Sequence, residues 1–105
     1  MVRGRSQPGY TLRSPPAEGD RRVVYLSGRV SLEDAEVLLA ELETLSDVEP
    51  AGAVHIDLAD VTYMDSAGAL TLFRFEERRR REGRACLYTR LPERVRGIMG
   101  LIDRQ

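Results

Sequence analysis

Hydrophobic and polar positions change their period several times along this chain, and each change marks an element. Tyr10-Thr11-Leu12-Arg13 alternates and is long enough for a short first strand. Pro15-Pro16-Ala17-Glu18-Gly19-Asp20 is dense in turn residues and is expected to reverse the chain. Arg21 to Ser27 alternates again and is rich in β-branched and aromatic residues, which predicts a hairpin partner for the first segment, closed by Gly28. From Ser31 the period becomes helical. Leu32, Ala35, Leu38, Leu39, Leu42 and Leu45 recur at intervals of three and four, while Glu33, Glu36, Glu41 and Glu43 stay off that stripe. Ser31 is the expected N-cap, with Asp34 standing where the acid of a capping box would be.

Asp47 to Gly52, which includes Pro50, reads as a connection to a central strand. In that strand Val54, Ile56 and Leu58 alternate with His55 and Asp57, and a turn follows. Asp65-Ser66-Ala67-Gly68 then opens a second helix, expected from Ser66 to Arg81. Its first two turns are almost wholly apolar, with Ala67, Ala69, Leu70, Leu72 and Phe73. Its later half, Glu76-Glu77-Arg78-Arg79-Arg80-Arg81, reads as a charged, solvated end with Glu76–Arg80 and Glu77–Arg81 in the favourable order. Gly83 ends the helix. Arg84 to Arg90 reads as a strand, and Pro92 opens a last helix that turns Val95, Ile98, Met99, Leu101 and Ile102 inward.

Strands separated by helices need crossover connections, so part of the sheet is parallel beside an antiparallel first hairpin. The strands alternate instead of being apolar throughout, so only one face is covered. The expected fold is α/β: a mixed β-sheet of about four strands with helices packed mainly on one face. Residues 10–105 form one domain, and residues 1–9 are expected to be a flexible tail.

Composition narrows the possible chemistry. A formal net charge of -1 gives no electrostatic case for nucleic acid. No segment approaches the length of a bilayer span, and Met1 to Pro8 has no apolar stretch to serve as a secretory signal. Cys86 is the single cysteine, so no internal disulfide can form and a reducing cytoplasm is the expected compartment, with the thiol buried and inert. The chain contains no lysine, which excludes a lysine nucleophile.

Enzyme chemistry finds little support. Ser66 lacks the first glycine of a nucleophile elbow, and the only histidine, His55, lies a strand-length earlier. His55, Asp57 and Asp60 do not have convincing metal-ligand spacing, and no phosphate-cradling loop or dinucleotide fingerprint is present. No catalytic residue, metal or cofactor is therefore expected. Ser66 fits a simpler role. A hydroxyl at the start of a helix can cap it, or can carry a phosphate favoured by the helix dipole. Asp65 beside it would repel such a phosphate and make its arrival felt.

A strand ending in Asp57-Leu58, a short turn with Val61-Thr62, and Asp65-Ser66-Ala67-Gly68 opening a helix together resemble the STAS domain of the bacterial anti-sigma factor antagonists. Val23 to Gly28 is similar to the family's second strand, Ser31 to Leu45 to its first helix, and Ala85 to Thr89 to the following strand. The likeness covers roughly residues 10 to 103. It implies a partner-switching module that binds a serine-kinase anti-sigma factor until Ser66 is phosphorylated and is reset by a phosphoserine phosphatase. It further implies a partner surface at Ser31, Asp65, Ser66, Ala67 and Gly68, with no nucleic acid bound and no membrane insertion. Ser31 stands where many relatives carry an aspartate, so the local charge differs. The oligomeric state is left open. The competing expectation is a STAS scaffold subunit of a stressosome or of a lipid-transporting ABC complex, with Ser66 as a structural helix cap.

Overall fold

The computed structural model describes residues 7–48 and 51–103. Within the expected tail, Met1 to Ser6 lie outside those residues. Gly9 is tied in both directions, donating its N–H to Asp34 Oδ2 at 2.8 Å and accepting from Arg29 N–H at 2.9 Å. Glu49 and Pro50 of the expected connection also lie outside.

Four strands, β1 (Tyr10–Arg13), β2 (Arg21–Val30), β3 (Ala53–Met64) and β4 (Ala85–Thr89), form one sheet in sequence order. β1 pairs antiparallel with β2, whereas β2–β3 and β3–β4 are parallel. Helix α1 (Ala35–Val48) connects β2 to β3, α2 (Ser66–Arg81) connects β3 to β4, and α3 (Glu93–Asp103) follows β4. Each crossover advances one strand in the same direction. Right-handed connections of that kind place α1 and α2 on one face of the sheet. The mixed sheet with one covered face is the fold the alternation predicts.

The core lies between that face and the helices. Val24, Leu26 and Val30 of β2 and Val54, Ile56 and Leu58 of β3 meet Leu38 and Leu42 of α1, Leu72 and Phe75 of α2, and Val95 and Met99 of α3. Burying each such side chain contributes about 1.5–3 kcal/mol. Cys86 is buried among them, and that burial pushes its thiol pKa up to about 12, which leaves it inert.

Several expectations need correction. Gly28 does not close its strand: β2 continues to Val30 through a register shift after Gly28. Glycine is required there by a φ of +86°, and a Cβ would also fall 2.5 Å from the O of Gly9, which immediately precedes β1. Val61-Thr62 belong to β3, not to a turn, because the strand absorbs an irregularity between its pairings at Asp57 and Asp60 and runs on to Met64. The expected helix at Ser31 begins as a single 3-10 turn, Leu32–Asp34, before α1 proper. Leu32 and Leu101, both placed on inward stripes by periodicity, are 70% and 58% exposed. Leu32 stands in the 3-10 turn, whose tighter winding takes it off the α-helical stripe. Pro92 immediately precedes α3, accepting from Arg96 N–H at 2.8 Å.

The largest departure is Arg79. It is not solvated but wholly buried, with Nε donating to Ala85 O at 2.9 Å, Nη1 to Ser46 Oγ at 2.8 Å and Nη2 to Ala51 O at 2.8 Å. The other arginines of the run do face water. Arg80 pairs with Glu76 and Glu77, Arg81 with Glu77, and Arg78 with Glu43, Asp47 and Glu82.

Candidate functional site

β2 and β3 are parallel neighbours, so the segments leaving their C-terminal ends emerge side by side. Val30-Ser31-Leu32 follows one strand and Met64-Asp65-Ser66 the other. The two are joined by hydrogen bonds. Asp65 N–H donates to Val30 O at 3.2 Å, and Leu32 N–H donates to Asp65 Oδ2 at 3.0 Å. The second carboxylate oxygen, Oδ1, accepts from Gly68 N–H at 2.8 Å.

Asp65 is thus the N-cap of α2, with the extended backbone (φ -105°, ψ -178°) such a residue adopts. Its carboxylate also satisfies the first N–H of the 3-10 turn. Ser31, the expected cap of that turn, makes no side-chain capping bond and is buried, because the task has passed to Asp65 across the gap. Asp34 is not a capping-box partner either; it holds Gly9. One aspartate therefore serves two helix starts. Replacing Asp65 by Asn keeps one acceptor oxygen and loses the other. The expected result is a loss of about 0.5–2 kcal/mol, as for a removed cap. In thermal melts and amide exchange, either Leu32 or Gly68 should lose protection while the core retains its own.

With the cap assigned to Asp65, Ser66 is left as the first residue of α2, exposed. Its hydroxyl and the N–H groups of Ser66 and Ala67 have no hydrogen-bond partner among the described residues. Gly68 is buried beneath it, so close to β2 that a Cβ would fall 2.2 Å from Val30 O. Ala67 is half-buried, and its carbonyl accepts from Thr71 Oγ1 at 2.9 Å. Of the five residues expected at the partner surface, Asp65, Ser66, Ala67 and Gly68 form one turn. Ser31 adjoins it with its side chain turned inward.

Apolar side chains surround this hydroxyl. Leu70, one turn along the same face of α2, is 41% exposed; Tyr63 and Leu32 flank the turn and are exposed as well. A groove of about 540 Å³ starts at Ser66 and runs between α2 and α3, floored by Leu70, Phe73 and Ile102. Periodicity alone did not show Leu32 and Tyr63 in this role. Leu32 counts as a core position, and Tyr63 falls in the stretch read as a turn.

The remaining candidates lie elsewhere. His55 is nine residues before the end of β3, roughly 30 Å along the strand at 3.3 Å per residue from the Ser66 turn, so the two cannot share chemistry. Asp57 is committed to Arg90, whose Nε lies 2.8 Å from Oδ2 and whose backbone is left-handed (φ 54°). Among the described residues, no group of three or more His, Cys, Asp or Glu side chains could hold a metal.

A mixed sheet in the order β1-β2-β3-β4 with helices on one face defines the class of α/β domain seen in the anti-sigma factor antagonist SpoIIAA. The unphosphorylated form of that protein matches with a TM-score of 0.73 at 13% identity, over 87% of this chain and 79% of that one. The phosphorylated form of the Bacillus protein matches at 0.69 and 12% identity, over 87% and 82%. The family model described as "Mlab, STAS domain" matches residues 14–103, and the chain belongs to the STAS domain family. The same fold is a part of longer chains. It covers 20% of Mglu, at 26% identity over 81% of this chain with a TM-score of 0.63. It also covers 14% of the murine anion transporter Slc26a9, at 10% identity over 80% of this chain with a TM-score of 0.72. No curated protein matches the sequence.

Proposed function

We propose that this domain is a cytoplasmic partner-switching module of the anti-sigma factor antagonist kind, controlled by phosphorylation of Ser66. The observation that carries the reading is the division of labour at the turn. Asp65 performs the capping, so the Ser66 hydroxyl has no structural task and stands free at a helix start. Leu32, Tyr63 and Leu70 supply an apolar surface for a partner, proposed as a serine-kinase anti-sigma factor that is also the modifying enzyme, with a phosphoserine phosphatase reversing the step. Phosphate brings about two negative charges into the middle of that surface, where a docked partner would have to desolvate them. Asp65 adds repulsion on one side. Binding is therefore released.

The competing reading is a permanent subunit of a stressosome or transport assembly. Its support is that STAS domains occur as parts of larger chains such as Slc26a9. It assigns Ser66 the role of helix cap, and the capping bonds of Asp65 weigh against that assignment.

The test has two parts. Intact-mass analysis of the chain from its native host should show one added phosphate that is absent from a Ser66→Ala variant. In partner-binding assays Ser66→Ala should bind like the unmodified chain, and Ser66→Asp should bind at least about tenfold more weakly, equivalent to 1.4 kcal/mol. Equal affinity of the two variants would exclude the switch. A fixed stoichiometric partner with an unmodified Ser66 under growth and stress alike would establish the subunit reading.

A further inference from the structure

β1 is an edge strand, and its outer side carries hydrogen-bonding groups that have no partner among the described residues. Gly9 faces Arg29 through a hydrogen bond, so the bonded pairs of this antiparallel ladder are Thr11 with Ser27 and Arg13 with Tyr25. By the same alternation, the backbone N–H and C=O of Tyr10 and Leu12 point away from the sheet. Beside this edge, on the covered face, a groove of about 420 Å³ separates β1 from α1 and is lined by Leu12, Val37, Ala40, Glu41, Thr44 and Leu45. Val37 is 43% exposed, and Val48, further along the same flank, is 76% exposed. An open edge next to an apolar trough suits a strand: the backbone pairs with the edge while alternate side chains drop into the trough.

Charge indicates what kind of strand. α1 carries Glu36, Glu41, Glu43 and Asp47 and no cation. Glu43 and Asp47 lie on the opposite flank, paired with Arg78. On the groove side Asp34 and Glu41 receive, among the described residues, only neutral donors, the Gly9 N–H and the Tyr10 hydroxyl. Arg13 cannot offset them, since it lies on the other face of the sheet, stacked 4.3 Å over Tyr25. Two copies of this chain paired edge to edge would bring two acidic flanks together, and like charges at an interface disfavour it.

We propose that the β1 edge and the adjoining trough form a second docking site, for an extended segment of a partner protein that shows small apolar side chains between basic ones on one face. The site is centred on β1, two places in the sheet from β3 and the Ser66 turn that follows it, meets that surface only at the 3-10 turn, and does not depend on the function proposed for it. The segment would become a fifth strand. Its apolar residues would cover Val37 and Ala40, and its arginines or lysines would meet Asp34 and Glu41.

The probe is a palindromic peptide, Arg-Thr-Val-Thr-Val-Thr-Arg, which presents the same face in either strand direction. It would be titrated into the full chain and followed by anisotropy and by amide exchange. Saturable binding is expected, with slowed exchange at Tyr10 and Leu12. Val37→Arg should weaken it by about tenfold or more, as for loss of a central apolar contact, while Leu70→Arg on the Ser66 surface leaves it unchanged. The analogue with glutamate in place of arginine should not bind. Absence of saturable binding, protection at β4 instead of β1, or equal binding of the glutamate analogue would each overturn the proposal. So would binding that appears only after removal of residues 1–6, which would assign the trough to the chain's own amino-terminal segment. Concentration-dependent dimerisation abolished by Val37→Arg would assign it to a second copy.

Discussion

Replacing Arg79 by Leu should remove about 3–5 kcal/mol of stability, the lower part of what three acceptors that lose their donor would cost at about 1–3 kcal/mol each. The substitution leaves Ala51 O and Ser46 Oγ without their donor in buried surroundings, and Ala85 O without it in partly buried ones. The cost of these orphans is partly relieved as the neighbouring segments relax. The three acceptors come from the end of α1, the connection before β3 and the start of β4, so losing the guanidinium loosens three segments together. No carboxylate bonds to this cation among the described residues. Burial pulls its pKa down, and the side chain instead sits at the last turns of both α1 and α2, where helix dipoles favour positive charge. Arg79→Lys should recover less than half of the loss, since one ammonium cannot span the fork. Urea denaturation checks both variants. A Leu variant within about 0.5 kcal/mol of the original, the scale of an ordinary surface change, would show that the three bonds carry little net stability.

Gly68→Ala should destabilise the domain by about 1–3 kcal/mol, the range for overpacking, even though alanine gains about 1 kcal/mol of helix propensity over glycine. A methyl group there would lie 2.2 Å from Val30 O, 2.8 Å from Val30 C and 2.9 Å from Val30 Cγ1. Two of those atoms are backbone and cannot swing aside, so the start of α2 must move away from β2. That movement strains the Asp65 N–H bond to the same Val30 oxygen, and with it the Leu32 bond. Partner binding should therefore fall beyond what the loss of stability explains. Gly97 on α3 is the control. A Cβ there meets nothing within 4 Å, so Gly97→Ala should stabilise by up to about 1 kcal/mol. Thermal melts of the two variants should shift in opposite directions, and a shared sign would contradict the packing account.

Much of this was legible in the chain. The limits of β1 and α2 follow from alternation, from the Asp-Ser helix start and from Gly83, β4 is one residue shorter at each end than the run Arg84 to Arg90 suggests, and Ser66 stands at the helix start its motif indicates. What escaped depends on long-range contacts. Gly28 reads locally as a strand end; its positive φ and the closeness of Gly9, just before β1, explain a glycine inside β2. Ser31 is a good cap by residue type, and nothing within its own segment announces that Asp65, far along the sequence, takes its place. Arg79 did leave a trace. Ala69, Leu72, Phe75 and Arg79 continue one helical stripe, so spacing placed it in the core, whereas its residue type and the neighbouring arginines argued for solvent. Its acceptors lie on three other segments and have no local signature.

The Asp65–Leu32 bond also makes the proposed binding face a gauge of correct folding. The two residues stand on segments following different strands and meet only when β2 and β3 pair in the observed register. A slip of one residue would displace one segment by about 3.3 Å and break the link. A misregistered or partly assembled chain would then present Ser66 without Leu32 beside it. Any protein that requires both is selective for the finished fold, and a docking enzyme of this kind would spare immature copies.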